Sequence, residues 1–423
     1  MPVKRFDSET WKASPQWRRQ LDMTQFAKER AAVAEICARV AAEGDAALRE
    51  FGKRFDGWAP GPDESFEVPR SELADAAESL QPADRTALEF AAQRIRNFHT
   101  RQLPAPPSGP DHLRLITRPV NRAGVYAPGG RAAYPSTVLM TVIPARVANV
   151  PEVVLATPPG RDGKVARAIL AAAYIAGVNA VYRIGGAQAI AALAYGTESI
   201  PRVDVVAGPG NIYVTLAKKE VFGSVGVDGI AGPTEVMVIA DAKARPDFVA
   251  ADLAAQLEHD PLARAVLVTD STELVDRVEE ELENLLGGLE RSKIIRQADC
   301  SLVVVDDLDE AIELANDYAP EHLLIVADDA ARLAEKVESA GAVFVGPYAT
   351  VPLGDYTAGP NHTLPTSGAA RFSSPLGVHT FLKRSSVLSL DRSDLEMLRD
   401  ASVRLAEMEG LGAHAHAIEV RLE

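Results

Sequence analysis

The chain has 423 residues, of which 47% are hydrophobic and 24% charged, the proportions of a soluble globular protein. Its 44 basic and 59 acidic residues give a net charge of -15, which disfavours nucleic-acid binding because that function needs basic surface. No apolar run reaches the roughly 18 to 20 residues of a membrane span, and the N-terminus lacks the apolar core of a signal peptide. Cys37 and Cys300 lie far apart and are expected to be buried structural thiols without a disulfide. We therefore expect a cytoplasmic protein with no membrane partner, long enough for two or three domains.

The first hundred residues are expected to be mainly helical. Residues 31–48 and 71–98 space their apolar side chains by three and four, as one face of a helix requires. Between them lies a turn-rich stretch at residues 56–63, and a proline-rich loop or linker is predicted at residues 104–110.

From about Val138 the chain alternates between short apolar runs and helical patterns. Strands are predicted at residues 153–157, 180–184 and 203–206, followed by a second series at 236–240, 265–269, 302–305, 323–326 and 343–345. Strands that alternate with helices form parallel sheets with crossover helices. The sequence therefore predicts an α/β fold of two tandem, doubly wound, Rossmann-like domains across a cleft, with small helical segments at both ends of the chain.

Gln256 and His259 form the first candidate for chemistry. A helix is predicted to start near Pro246 and to end by Pro261, so the two residues share one helical face at positions i and i+3. The negative end of the helix dipole favours a bound cation there. Alone, such a pair is more often an exposed surface pair or a capped helix end, and the metal interpretation depends on further ligands.

Asp355 and His414 supply those further ligands. Asp355 is predicted to lie in a glycine-rich loop at residues 354–362, which is either an exposed turn or a loop that presents polar groups to a ligand. His414 lies close to the C-terminus, where a simply exposed side chain is the plainer interpretation. Nitrogen and oxygen ligands of this kind suit Zn²⁺, and Mn²⁺ or Co²⁺ less well.

Glu321 and His322 stand directly before the predicted strand at 323–326. Neighbouring side chains on an extended segment point in opposite directions, so both reach one site only if the strand edge is irregular. A polar pair that faces solvent is the alternative. In the first case, the carboxylate and the imidazole are candidate bases.

The glycine pairs after predicted strands are ambiguous signals. Glycines are paired at 129–130, 185–186 and 208–210. The last two groups follow predicted strands and suit a pyrophosphate at a helix N-terminus, while simple tight turns explain all three equally well. None forms a GxGxxG motif with an acidic residue about 20 positions later, so the usual dinucleotide fingerprint is absent. Neither cysteine lies near these motifs, so an aldehyde oxidation here must pass through the hydrate, with Glu321 as a candidate base for water.

Taken in chain order, the motifs resemble those of the histidinol dehydrogenase family, over about residues 31–418. They are VYAPGG at 125–130, PSTVLM at 135–140, GGAQAI at 185–190, GPGN at 208–211, AGPTE at 231–235, QLEH at 256–259, APEHL at 319–323, GDY at 354–356, GPNH at 359–362 and EGLGAH at 409–414. Thr234 stands where many members have Ser, and both side chains offer a hydroxyl. Ile184 stands where a cysteine often occurs.

The resemblance implies an NAD-dependent, zinc-requiring, four-electron oxidation of L-histidinol through the aldehyde to L-histidine. Its implied Zn²⁺ ligands are Gln256, His259, Asp355 and His414. His322 would be the base in hydride transfer and Glu321 the base that activates water. Thr234, His362 and Glu409, together with His322 and the zinc ligands, would contact the substrate. Tyr126, Gln188 and Asn211 would contact NAD.

The resemblance also implies a homodimer in which the C-terminal segment, with His414 and Glu409, completes the partner's site. The implied domains are residues 24–126 with 232–376, carrying the metal and catalytic residues, and residues 127–231 on the NAD side. Residues 1–23 with 377–423 would form a small dimerisation and tail region. Two alternatives are a related zinc and NAD alcohol dehydrogenase acting on another small alcohol, such as a sulfopropanediol, and a non-enzymatic metal- or nucleotide-binding protein.

Overall fold

The computed structural model of the chain describes residues 3–17, 26–62, 64–105, 113–129 and 133–423. Gly130 and most of the predicted linker at 104–110 lie outside the described residues. The chain divides into two units, the first made of Met1–Leu103 and Val120–Phe381, the second of Pro104–Pro119 and Leu382–Glu423. Two parallel sheets with crossover helices make up most of the first unit, which confirms the α/β, Rossmann-like fold class.

The N-terminal part of the chain is mainly helical, as predicted. Its elements are β1 (Val3–Asp7), α1 (Ser8–Ala13), α2 (Ala27–Glu43), α3 (Asp45–Phe51), α4 (Arg70–Glu78), α5 (Pro82–Thr100) and β2 (Leu113–Pro119). Each long predicted helix is divided into two. Gly44, with φ of 55°, separates α2 from α3, because a positive φ is incompatible with a continuing helix. Pro82 starts α5 and, since a proline disfavours the helical conformation of the residue before it, also separates α5 from α4.

The first sheet has five parallel strands in the order β5-β4-β3-β6-β7. Its elements are β3 (Arg122–Tyr126), α6 (Pro135–Val147), β4 (Glu152–Thr157), α7 (Arg167–Ala176), β5 (Ala180–Arg183), α8 (Gly186–Tyr195), β6 (Val205–Ala207), α9 (Ile212–Val221) and β7 (Gly226–Val227). The chain starts at β3, builds outward through β4 and β5, and then returns to β6 on the other side of β3. This reversal creates a crevice at the carboxyl ends of β3 and β6, where doubly wound folds bind their ligands.

The second sheet has six parallel strands in the order β1-β10-β9-β8-β11-β12. Its further elements are β8 (Glu235–Ala240), α10 (Pro246–Leu257), β9 (Arg264–Thr269), α11 (Thr272–Leu286), α12 (Ser292–Ile295), β10 (Asp299–Val304), α13 (Leu308–Tyr318), β11 (His322–Val326), α14 (Ala330–Ala334), β12 (Ala342–Val345) and α15 (Val351–Tyr356). Every residue of β8 and β11 is buried, as expected of central strands covered by helices on both faces.

The second unit contains a two-stranded antiparallel sheet of β2 and β13 (Leu382–Leu388), followed by α16 (Arg392–Met408) and α17 (Gly412–Glu419). Helix α16 begins with a capping box in which the Asp391 carboxylate accepts the Asp394 amide proton. Large apolar side chains of this unit are exposed, including Leu388, Met397 and Met408.

Two segments differ from the domain division predicted from the sequence. Strand β3 is the central strand of the five-stranded sheet, although residues up to 126 were assigned to the other domain. Strand β1 pairs with β10 at the edge of the six-stranded sheet, whereas residues 1–23 were assigned to the tail region. Both strands are short and stand apart from the alternating pattern that starts near Val138. The domain division as such stays a prediction.

Cys37 and Cys300 are free and buried, as expected. Over the residues that the structure describes, no helix is long and apolar enough to cross a membrane.

Candidate active site

The predicted catalytic residues meet at the amino ends of β8 and β11. These strands are parallel neighbours, Thr234 immediately precedes β8, and Glu321 immediately precedes β11. Open α/β sheets usually bind ligands at the carboxyl ends of their strands. This polar cluster therefore lies at the opposite edge from the one that the fold alone would indicate.

A hydrogen-bond chain connects Gln256, Thr234 and Glu321. The Gln256 Nε2 amide donates to Thr234 Oγ1 at 2.5 Å, and the Thr234 hydroxyl donates to Glu321 Oε2 at 2.6 Å. The backbone N–H of Glu235 donates to the same carboxylate oxygen at 2.9 Å. Because the Thr234 hydroxyl both accepts and donates, it fixes the orientation of the amide and of the carboxylate together.

Glu321 is a buried carboxyl group with a pKa near neutrality. Burial raises its pKa to about 7, although the neighbouring His322 and the bonds from Thr234 and Glu235 favour the charged form. A carboxyl group with this pKa exchanges its proton readily at neutral pH, which is the property of an effective general base.

The His322 ring is held in one tautomer. Its Nδ1 lies 3.0 Å from the backbone carbonyl oxygen of Glu235, and a carbonyl can only accept, so Nδ1 carries the proton. In the neutral ring, Nε2 is therefore free to accept a proton. The Glu321 carboxylate lies 3.6 Å from Nδ1. The two neighbouring side chains thus reach one site rather than facing apart.

Irregular backbone before β11 explains this convergence. Ala319 has φ of 49°, in the left-handed region, and Pro320 follows it, so Glu321 is not part of the regular strand. A side chain at Gly341 would place its Cβ 2.5 Å from the Glu321 carbonyl oxygen. The bend therefore needs glycine at position 341, and positive φ at a non-glycine residue is typical of functional sites.

Gln256, His259 and Asp355 line one cavity of about 600 Å³. Gln256 lies in the last turn of α10, and His259 lies just beyond the end of that helix. Burial lowers the pKa of His259, an effect that the Asp355 charge opposes. Among the described residues, Gln256 Oε1 is buried and has no hydrogen-bond partner. Since Gln256 Nε2 is bonded to Thr234, the unpaired oxygen is the atom left for a ligand.

Asp355 lies in the short helix α15, and the prediction of a glycine-rich loop for it is wrong. Thr350 precedes the helix in an extended conformation and Pro352 lies in its first turn, both of which favour helix initiation. Gly354 is a loop signal in the sequence, but a Cβ there would lie 2.8 Å from the Phe344 ring, so this glycine allows the helix and the ring to pack closely.

His362 is half-buried, and its ring contacts the backbone of Asp355. Its Nδ1 lies 3.0 Å from the Asp355 carbonyl oxygen, and Thr137 Oγ1 lies 3.4 Å from its Nε2. Burial lowers the pKa of His362 and so favours the neutral ring. Thr137 was not among the predicted site residues, although it lies within the PSTVLM motif.

The remaining predicted residues belong to the second unit. Glu409 follows α16, His414 lies in α17, and both are exposed. The first unit thus brings together three of the four predicted metal ligands. Within the described parts of the chain, no group of three or more His, Cys, Asp or Glu side chains is arranged to hold a metal.

A second cavity, of about 770 Å³, opens at the carboxyl ends of the five-stranded sheet. The predicted NAD contacts Tyr126, Gln188 and Asn211 all line it. The Tyr126 hydroxyl accepts the backbone N–H of Gly186 at 3.1 Å. The Asn211 side chain caps α9 by accepting the amide protons of the residues two and three positions later. The cavity therefore lies at the crevice where this fold class binds ligands.

Other cavity residues had no signal in the sequence analysis. Asp56, Arg54 and Arg161 also line the second cavity, and Asp56 had been assigned to a turn. The buried pair Lys218–Asp228 holds the backbone of Gly208 from both sides, since Lys218 Nζ donates to its carbonyl oxygen and Asp228 accepts its N–H. The contacts of Gly208 join residues 10 and 20 positions apart, and no local spacing indicates them.

The shared hydroxyl of Thr234 leads to a stability prediction. Thr234→Val should lower the free energy of unfolding of the metal-free protein by about 1–3 kcal/mol, because Gln256 Nε2 and Glu321 Oε2 each lose a buried partner. Thr234→Ser keeps the hydroxyl and should lie within about 1 kcal/mol of wild type. Urea denaturation measures both. Equal stability of the valine and serine variants would show that the hydrogen-bond chain contributes nothing.

Known proteins similar to this chain cover nearly all of it. The family model "Histidinol dehydrogenase" matches residues 18–422. The histidinol dehydrogenase of Aquifex aeolicus is 51% identical, over 92% of this chain and 91% of that protein, and that of Parasynechococcus marenigrum is 50% identical over 92% and 90%. The crystal structure of histidinol dehydrogenase from Elizabethkingia anophelis matches with a TM-score of 0.90 and 34% identity, over 99% and 98% of the two chains. The chain therefore belongs to the histidinol dehydrogenase family.

Proposed function

We propose that this oxidoreductase converts L-histidinol through L-histidinaldehyde to L-histidine, with Zn²⁺ in the site and two NAD⁺ as oxidants. The observation that carries the proposal is the position of two buried bases, Glu321 and His322, 3.6 Å apart. Glu321 is also joined through the Thr234 hydroxyl to the Gln256 amide. Such an arrangement offers one base for an alcohol proton and a second for water. The names of the similar proteins support this choice of substrate.

The donor set of the first cavity fits zinc. Gln256, His259 and Asp355 offer oxygen and nitrogen atoms, and the unpaired Gln256 Oε1 is a buried acceptor that lacks a protein donor. The lowered pKa of His259 favours the neutral ring that binds metals. When bound, Zn²⁺ would orient the substrate through its imidazole and amine.

In the first oxidation, the carbinol carbon loses a hydride and its hydroxyl loses a proton. His322 Nε2 accepts the proton, since Nδ1 is already engaged with the Glu235 carbonyl. Tyr126, Gln188 and Asn211 would hold NAD⁺, which would supply the hydride acceptor for each oxidation when bound. The product of this half-reaction is the aldehyde, with two electrons removed.

The second oxidation requires water. Glu321 in its carboxylate form removes a proton from water as the oxygen attacks the aldehyde carbon. His322, protonated in the first oxidation, returns its proton to the carbonyl oxygen, which gives the hydrate and leaves Nε2 free to accept again. His322 then takes a hydroxyl proton of the hydrate while its carbon loses the second hydride, which leaves the carboxylic acid. Removal of two hydrides and two protons and addition of one water convert the alcohol into the acid. No cysteine adduct is needed, and both cysteines are buried.

The remaining substrate contacts are assigned to Thr234, His362 and Glu409. The Glu409 carboxylate suits a cationic ligand, and it would repel the sulfonate of a sulfopropanediol. Comparing NADH formation from L-histidinol and from 2,3-dihydroxypropane-1-sulfonate tests the choice of substrate. Faster turnover of the sulfonate would move the assignment to the related alcohol dehydrogenase, and binding of zinc and NAD⁺ without turnover of any alcohol would favour a non-enzymatic role.

We further propose a homodimer in which Glu409 and His414 complete the partner's site. Both residues are exposed within the second unit. The same unit exposes large apolar side chains, with Met397 exposed by 75% and Met408 by 71%. Exposed apolar clusters of this kind are typical of protein–protein interfaces.

Mixed dimers test this sharing. His414→Asn and His322→Asn should each be inactive alone, because each removes a group that every site needs. When the two variants are mixed in equal amounts and exchange subunits, half of the dimers contain one subunit of each variant. Each of these mixed dimers has one intact site out of two, so roughly one quarter of wild-type activity should return. Absence of recovery, with exchange verified by mass spectrometry, would place His414 in the site of its own protomer.

A further inference from the structure

Asp56 lies where the second cavity meets the ends of two strands. It ends a short π-helical turn, Gly52–Asp56, that belongs to the N-terminal helical part of the chain. Its carboxylate accepts a hydrogen bond from the backbone N–H of Gly185, and Gln188 Nε2 lies 3.4 Å from its Oδ2. Gly185 follows β5 closely, so the carboxylate stands at the carboxyl end of that strand.

The neighbouring strand β4 ends at the same place. A Cβ on Gly185 would lie 3.0 Å from Asp56 Oδ1 and 2.5 Å from Pro158 Cβ, and Pro158 directly follows β4. Asp56 therefore lies beside the end of the second strand of this sheet in chain order, with β3 as the first. In dinucleotide-binding folds, an acidic residue at the end of the second strand binds the ribose 2′-hydroxyl.

The second strand itself carries no such acid. After β4 the chain continues with Pro158, Pro159 and Gly160, and the expected acidic residue at motif spacing is absent. Of the described residues that line the cavity, Asp56 alone has a carboxylate. The carboxylate that the sequence motif lacks is thus provided by Asp56, which comes from a different part of the chain.

The surroundings of the Asp56 carboxylate favour a ligand whose hydroxyl groups donate hydrogen bonds to it. Asp56 is partly exposed to the cavity, and burial raises its pKa although the bonds from Gly185 and Gln188 favour the charged form. Hydroxyl groups that donate to the carboxylate would compensate for lost solvation. A 2′-phosphate that contacts the Asp56 carboxylate would bring two negative groups together, although Arg54 lines the same cavity and the Arg161 side chain lies beside Gly57.

We propose that Asp56 accepts a hydrogen bond from the 2′-hydroxyl of the adenosine ribose and so selects NAD⁺ over NADP⁺. The inference rests on the proposed function, since it takes the second cavity as the dinucleotide site. Asp56 is then a specificity-determining residue that the sequence motif does not reveal.

Binding measurements without substrate test the proposal. Calorimetric titration of the zinc-loaded protein should show that NADH binds about 10- to 100-fold more tightly than NADPH, the range expected for a hydrogen bond to a charged group. NAD⁺ that lacks the adenosine 2′-hydroxyl should bind more weakly than NAD⁺ by a similar factor. This comparison uses only the wild-type protein.

Two isosteric variants then locate the effect. Asp56→Asn should reduce the preference for NADH to less than about threefold, mainly by weakening NADH binding. Asp162→Asn is the control, because it removes the same charge from the loop beside Arg161. Asp162 accepts the Lys164 amide proton and does not line the cavity. This variant should bind NADH and NADPH with the affinities of the wild-type protein. Because the asparagine oxygen still accepts a weaker, uncharged hydrogen bond, NAD⁺ should bind to Asp56→Asn less than about threefold more tightly than the deoxy analogue does.

Three results would overturn the proposal. Equal weakening of NADH and NADPH by Asp56→Asn would mean that Asp56 only supports Gly185 and Gln188. Wild-type protein that binds the deoxy analogue as tightly as NAD⁺ would exclude recognition of the hydroxyl. Wild-type protein that binds no dinucleotide at all would contradict the proposed function and, with it, this inference.

Discussion

His322→Asn should lower kcat for L-histidinol by about 10²- to 10⁴-fold, the usual contribution of a general base. Asparagine can still donate to the Glu235 carbonyl, so the fold of the site should be kept. It has no atom that accepts a proton at the position of Nε2. Because His322 is not among the proposed zinc ligands, the zinc content of the purified variant should equal that of wild type.

His379→Asn is a suitable control for this substitution. His379 lies in the short 3₁₀ turn Val378–Phe381, is exposed, and lines neither of the two functional cavities. The control should keep full activity and full zinc content. Full activity in His322→Asn would remove this histidine from the mechanism.

Glu321→Gln should separate the two oxidations. The step from aldehyde to acid should fall by about 10²- to 10⁴-fold, because an amide cannot take a proton from water. Oxidation of the alcohol should fall much less, since His322 remains. Single-turnover measurements that start from L-histidinol and from L-histidinaldehyde distinguish the steps, with exposed Glu313→Gln on α13 as a control. Equal loss in both steps would contradict the water-activating role.

The raised pKa of Glu321 predicts that the rate of the second oxidation depends on pH. The active form of Glu321 is the carboxylate, and burial raises its pKa to about 7. The rate of aldehyde oxidation should therefore decrease as pH falls below about 7 and level off at higher pH. In Glu321→Gln this decrease should be absent from the residual rate. A wild-type rate that stays constant between pH 5.5 and 8 would contradict the assignment of Glu321 as the base.

Local patterns were sufficient to predict the fold class and the central strands of the six-stranded sheet, but not β3, the central strand of the five-stranded sheet. The predicted run at 236–240 matches β8, and 323–326 falls within β11, because buried parallel strands are continuous apolar runs bounded by turn residues. The edge strand β1 was missed, since Val3–Asp7 contains two basic residues and one acidic residue and has no apolar run. Helix ends were less predictable, and Gly44 shows why, since one residue with positive φ divides a continuous apolar stripe.

The chemistry of the site was predictable only where its residues are close in sequence or match a family motif. Glu321 and His322 are neighbours, yet their convergence depends on the left-handed Ala319 and on Gly341, which no periodicity reveals. Thr137 contacts His362 and Asp56 contacts Gln188, pairs that are 225 and 132 residues apart, respectively. Such contacts follow from the packing of helices on the sheets, and a single sequence does not encode them as a local pattern.

The most direct test of the account is the amount of NADH formed per L-histidinol consumed by the zinc-loaded protein. The proposed mechanism predicts two NADH per substrate, with L-histidine as the product. Activity should be lost on chelation and restored by Zn²⁺. One NADH per substrate with release of the aldehyde, or no NADH from L-histidinol while zinc and NAD⁺ are bound, would contradict the double oxidation.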